Sequence, residues 1–150
     1  MSTVIHNKKD IVSISDVDLD KLKTFAKNDP DKRARICLHK DDDSLVHEMI
    51  IVLYKDSYII PHRHINKSES YHIIEGELKI VFFDDNGTET DSVILSSKRH
   101  QYPHLCRISN NSWHTVVPLE EYVILHEVTN GPFKKNETEY ADWGMDGVSK

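Results

Sequence analysis

From Arg33 onward the chain runs in short β-branched and aromatic stretches separated by turn residues. They are "RARICLH", "LVHEMIIVLY", "SYIIPHRH", "ESYHIIEG", "ELKIVFFD", "ETDSVIL", "LCRIS", "WHTVVP" and "YVILHEV". Strand candidates this dense leave no room for crossover helices, so the pattern predicts an all-β sandwich or barrel. One earlier stretch, "SDVDLDKLKTFAKNDP", has the helical period instead: Leu19, Leu22 and Ala26 share a face, Ser15 or Asp16 caps the start, and Pro30 closes it. The helix is expected over Asp16 to Asn28. After Gly131 the alternation is lost, and the segment reads as a tail whose Phe133, Tyr140 and Trp143 can dock on the barrel. The domain reading is an N-terminal extension with a helix over 1–30, a barrel over 31–132 and a C-terminal tail over 133–150.

The turn residues refine the picture. "DDNGT" from Asp84 to Thr88 contains Asn-Gly, which suits a two-residue hairpin turn because both residues accept positive φ. "DDDS" at Asp41 to Ser44, "EGE" around Gly76 and "SNNS" at Ser109 to Ser112 are also turn-like.

Composition narrows the function classes. The 150 residues fit one domain, and 38% hydrophobic with 29% charged residues describes a globular chain. A net charge of −6 with both signs interspersed lacks the basic stripe that a phosphate backbone requires, so no nucleic-acid partner is expected. Apolar runs such as "MIIVLY" at Met49 to Tyr54 fall far short of the roughly 20 residues that cross a bilayer. His6, Lys8, Lys9 and Asp10 interrupt the N-terminus where a signal peptide would be apolar. These features lead to the expectation of a cytoplasmic protein with no membrane partner, in which Cys37 and Cys106 stay reduced.

Candidate chemistry gathers in "PHRHINKSESYHIIEG". On a strand, His62 and His64 point to one face and Arg63 to the other. Glu69 opens the next strand and brings a carboxylate beside them if its face is the interior. His114 in "SWHTVVP" offers a third imidazole. Three neutral imidazoles and one carboxylate suit a divalent transition metal: Fe, Mn, Ni, Zn or Cu. Tyr58 has the parity of His62 and His64, as a proton donor, a substrate contact or a wall aromatic. Arg35 shares a parity with Arg33, Cys37 and His39, either holding a substrate carboxylate or phosphate or lying on a solvated face. Glu127 is a candidate to orient a ligand imidazole, Trp113 to pack the strand. His72, opposite in parity to Glu69, is expected in the core or at the surface.

The histidine block resembles the first cupin motif, and "SNNSWHTVV" resembles a remnant of the second. More closely, "YIIPHRH", Glu69, Gly76, "LKIVFFDDNG", "WHTVV" and "HEVTNGPF" resemble the WbuC-type cupin-fold metalloproteins associated with bacterial surface-polysaccharide biosynthesis. The resemblance implies a double-stranded β-helix, or jelly-roll barrel, and metal ligands at His62, His64, Glu69 and His114. The chain departs from the motifs at Asp56, Ser109 and Asn111, where glycine or proline is usual, and at Pro118, where asparagine is usual. Asp and Asn tolerate left-handed backbone best among non-glycine residues, so these turns are expected to survive. The resemblance implies an enzyme acting on a sugar or nucleotide-sugar by isomerase, epimerase or oxidase-type chemistry. The alternatives are a non-catalytic cupin that binds or senses a small ligand, and a metal-free isomerase with a histidine base. Sheet edges that need covering lead to the expectation of a homodimer.

Overall fold

The computed structural model describes residues 3–98, 100–109 and 111–143. Two sheets face each other. The first runs β1(Thr3–His6), β2(Arg33–Cys37), β3(Val46–Tyr54), β10(Tyr122–Asn130), β5(Glu69–Glu75), β8(Leu105–Ile108) across its width. The second runs β11(Thr138–Tyr140), β4(His62–His64), β9(Trp113–Pro118), β6(Glu77–Phe83), β7(Glu89–Ser96). All pairs are antiparallel except β1 with β2. The result is the expected jelly-roll barrel with, among the described residues, one α-helix, α1(Asp16–Asn28).

All nine strand runs form strands, although "SYIIPHRH" yields only its last three residues. Two strands fall outside the sequence pattern. β1 takes the sheet edge beside β2, and β11 takes the edge beside β4. Each is three or four residues long, too short for alternation to register.

The core lies between the sheets because alternate residues of each strand turn inward. Leu53, Ile73, Leu78, Ile80, Leu95, Val116, Val123 and Leu125 form one buried cluster. The outer face of the first sheet is covered by α1, whose Leu22 and Ala26 pack on Ala34, Ile36, Ile50, Val52 and Ile124. A capping box starts this helix: Asp18 N donates to Ser15 Oγ at 3.4 Å and Ser15 N to Asp18 Oδ2 at 2.9 Å. At its end, Asp29 accepts from Thr3 N and Thr3 Oγ1, both at 2.8 Å, which ties β1 to the helix.

Two turn expectations are corrected. Asp84 N donates to Thr88 O and Gly87 N to Asp84 O, so the hairpin loop is longer than two residues and only Gly87, at φ 84°, takes the left-handed region. The Asp84 side chain closes it by accepting from the N–H groups of Asn86 and Thr88, which relieves Asn86 of a positive φ. Asp56 and Ser109 also keep negative φ, so no left-handed tolerance is needed at those two positions. Gly76 does require glycine: its φ is 89° and a Cβ would stand 2.9 Å from Tyr122 O.

Candidate metal centre

The three-residue β4 places His62 and His64 on one face, as parity requires. His62 lies directly opposite His114 on β9, and their ring centroids are 4.6 Å apart. Glu69 arrives from β5 in the facing sheet, so the cluster bridges the two layers. One donor atom from each of the four residues lies within 4.8 Å of all the others. Donors held at about 2.0–2.2 Å from one ion stand at most about 4.4 Å apart, so a movement of about half an ångström closes the set.

The contacts inside the cluster fit a cation. Glu69 Oε1 is 2.6 Å from His114 Nε2, and Oε2 is 2.9 Å from His64 Nε2. Yet Glu69 Oε2 and His114 Nε2 are buried with no hydrogen-bond partner, because the approach lacks hydrogen-bond alignment. Close polar atoms that do not point at one another are what a shared central ion resolves. The far sides of the rings are fixed: His62 Nδ1 contacts Ile60 O at 2.8 Å, His114 Nδ1 contacts Ser112 O at 2.9 Å, and His64 Nδ1 contacts Thr138 Oγ1 at 3.0 Å. Each contact leaves Nε2 free to coordinate. Tyr71 O–H donates to Glu69 Oε1 at 2.7 Å.

Electrostatics agree with a site built for deprotonated ligands. Burial, helped by the nearby His114, lowers His62 to about 4. Burial works against ionisation of Glu69, but the adjacent imidazoles of His114 and His64 prevail and hold it well below the usual carboxylate range. Burial and the Glu69 charge push the Tyr71 phenol well above its ordinary value. Burial, with the Glu69 charge adding to it, raises Glu127 to about 8 against the pull of Arg35 and His114.

Glu127 is not the group that orients the imidazoles. Two backbone carbonyls and a hydroxyl do that, and Glu127 has no hydrogen bond or ion pair among the described residues. It sits on the inner face of β10, in a row with Cys37, Met49, Tyr71 and Cys106. Arg35 occupies the next row, beside Ile51, and is exposed without an ion pair among the described residues. Tyr58 is not brought to the cluster: it is 48% exposed. The stretch before Pro61 is not a strand, so parity does not carry through it, and Ile59 packs on the core instead. His72 faces solvent, while Trp113 is packed between Arg63, 4.5 Å from its ring, and Trp143. Cys37 and Cys106 are free thiols. A cleft of about 370 Å³ opens between Phe82, Phe83, Arg107 and Ile108; Phe82 and Ile108 are strand neighbours of His114 and Glu69, but none of the four cluster residues lines it.

Residues 14–95, more than half of the chain, match a domain of unknown function, DUF6016. The chain belongs to the DUF6016 family. His62, His64 and Glu69 lie inside the matched span of this DUF6016 protein, and His114 lies beyond it. No curated protein is significantly similar to it. Among solved structures it is similar to CapF bound to the inhibitor 3-isopropenyl-tropolone, with TM-score 0.61 and 18% identity over 75% of this chain and 32% of CapF. It is also similar to protein SO0799 from Shewanella oneidensis, with TM-score 0.58 and 10% identity over 71% of this chain and 72% of that one. TT1209 from Thermus thermophilus matches with TM-score 0.54 and 19% identity over 79% of this chain and 97% of that one. The DUF6016 protein spans about a third of CapF, and identities this low concern the fold alone. That fold is the cupin double-stranded β-helix. No helix among the described residues is long and apolar enough to cross a membrane.

Proposed function

We propose that this cupin is a metal-dependent enzyme acting on a small polar molecule. The observation that carries the reading is the convergence of His62, His64, Glu69 and His114 around buried polar atoms that lack partners. These four residues would hold a divalent transition metal, whose chemistry is to polarise a substrate oxygen or activate a bound small molecule. The chain supplies the rest. Glu127 lies on the inner face of β10 beside Tyr71, and burial favours its protonated form in the metal-free chain. Arg35 offers a guanidinium one row away, without an ion pair among the described residues and suited to a carboxylate or phosphate. Tyr71 holds the Glu69 carboxylate in place.

The substrate class we favour is a sugar or nucleotide-sugar of bacterial surface-polysaccharide biosynthesis, with isomerase, epimerase or oxidase-type chemistry. Its support is the WbuC-type resemblance of the motifs, together with the Arg35 guanidinium one strand row from Glu127. We further propose that the protein works in the cytoplasm as a homodimer, joined through exposed sheet edges such as β1 and β7.

Metal analysis of the purified protein beside a His64→Ala, His114→Ala variant tests the centre. Metal retained by the native chain and lost by the variant is expected; background metal in both sinks the reading. Nucleotide-sugars offered to the metal-loaded protein are expected to turn over. Tight binding without turnover would instead identify a non-catalytic binding cupin.

A further inference from the structure

The three imidazoles are not held alike. His62 and His114 lean on backbone carbonyls two residues earlier in their own loops, at Ile60 and Ser112. Those props form wherever the local turn forms. His64 leans on the Thr138 hydroxyl, 74 positions away in the chain.

Strand pairing shows the same asymmetry. β4 carries two of the four ligands but is in strand register with β9 at one residue pair, His62 with His114. Its other edge pairs with β11 along its full length: Thr138 with His64, Glu139 with Arg63, Tyr140 with His62. Ile65 N donates to Glu137 O and Ala141 N to Pro61 O, both at 2.8 Å, so β11 brackets the ligand strand at both ends. Arg63 Nε donates to Glu139 at 2.5 Å, and Lys67 pairs with Glu137 at 3.2 Å.

The far end of this segment is anchored by Trp143, whose ring centroid stands 5.2 Å from Phe83 and 5.9 Å from Trp113. Tyr140 is 65% exposed and Phe133 48% exposed. The Arg63–Glu139 pair is partly exposed, where such pairs contribute little, whereas in the Lys67–Glu137 pair the lysine side chain is only 9% exposed. Between these anchors β11 itself is exposed at Glu139 and Tyr140, and stretches with few buried contacts open at low free-energy cost.

We propose that β11 is a working part of the metal centre: Thr138 is a positioning residue that fixes the His64 ring, and metal retention is coupled to docking of residues 134–143. The proposal rests on the metal reading above. The hydroxyl accepts the Nδ1 proton and so presents Nε2 to the ion, the role filled by hydrogen-bond acceptors behind metal-bound histidines. Coupling of two binding events is reciprocal, so a bound ion must also stabilise the docked strand.

The test uses the full chain and Co(II) alone, followed by its visible absorption, with Thr138→Val and Thr138→Ser variants. Valine keeps the shape and removes the hydroxyl; serine keeps the hydroxyl. Thr138→Val is expected to weaken Co(II) binding about 10–100-fold, the range for losing the hydrogen-bond partner of a ligand histidine, while Thr138→Ser stays near wild type. Hydrogen exchange at residues 134–143 is expected to slow when Co(II) is added to the wild type. Equal affinity in wild type and Thr138→Val, equal weakening in both variants, or exchange indifferent to Co(II) would each overturn the proposal. A wild type that binds no Co(II) would overturn the metal reading itself, and this proposal with it.

Discussion

The two ends of the barrel interior are built from the same strands and follow opposite rules. β10 carries Val123 at one end and Glu127 at the other; β5 carries Ile73 and Glu69; β9 carries Val116 and His114. At the apolar end Leu78, Ile80, Leu95 and Val123 are fully buried, and close packing makes any lost volume costly. At the polar end carboxyls and imidazoles crowd without satisfying one another. Burial alone therefore does not separate structure from chemistry, since Glu69 and His114 are as buried as the leucines. What separates them is whether the buried group has found its partner. The packed end fixes strand register, and a fixed register can hold mismatched polar groups at the other end.

The comparison breaks if the two ends prove to be one unit. His114→Ala should cost more metal affinity than the about 10–100-fold lost with the hydrogen-bond partner of a ligand, measured by metal titration. Leu78→Ala should cost about 2–5 kcal/mol of stability in urea unfolding, while the protein that remains folded binds metal as the wild type does. If Leu78→Ala weakened metal binding as strongly as His114→Ala, the division into a packed end and a reactive end would fail.

Acidity sharpens the comparison. Glu127 is raised to about 8 in the folded chain, so between its ordinary value of 4.5 and that point the folded state holds a proton that the unfolded state has lost. Its contribution to stability is therefore fully present below pH 4.5 and fades as pH rises toward 8. Glu69 works the other way, since its lowered value makes stability fall as pH drops below 4.5. His62, lowered from 6.5 to about 4, offsets the Glu127 trend between those values, so thermal unfolding of the metal-free protein should show a decline from about pH 6.5 to 8 that Glu127→Gln flattens. An unchanged slope in the variant would assign the decline to other groups. The smallest effect expected lies far from the site: Ser15→Ala should remove the cap of α1 at about 1 kcal/mol in the same unfolding measurement and leave metal affinity untouched.

The sequence was legible where periodicity runs long enough to be counted. Leu19, Leu22 and Ala26 mark the helix, and the alternation in "ESYHIIEG" turns Glu69 inward together with Tyr71 and Ile73. Parity likewise put His62 and His64 on one face. It failed at Tyr58, where Pro61 interrupts the strand. The orienting role considered for Glu127 failed because backbone carbonyls, invisible in any residue pattern, already occupy two of the three Nδ1 atoms. Thr138 was missed because a three-residue strand has no period and its hydroxyl matters only through a partner 74 positions away.

The stack at the C-terminal segment has an optical consequence. The chain has two tryptophans, Trp113 and Trp143, and their rings stand 5.9 Å apart in one edge-to-face pair, with Gly87 beneath Trp143 and Arg63 over Trp113. Intrinsic fluorescence of this protein therefore reports a single patch beside the ligand strand rather than the barrel as a whole. A change in emission without a change in far-ultraviolet dichroism would record that patch coming apart while the sheets stay intact.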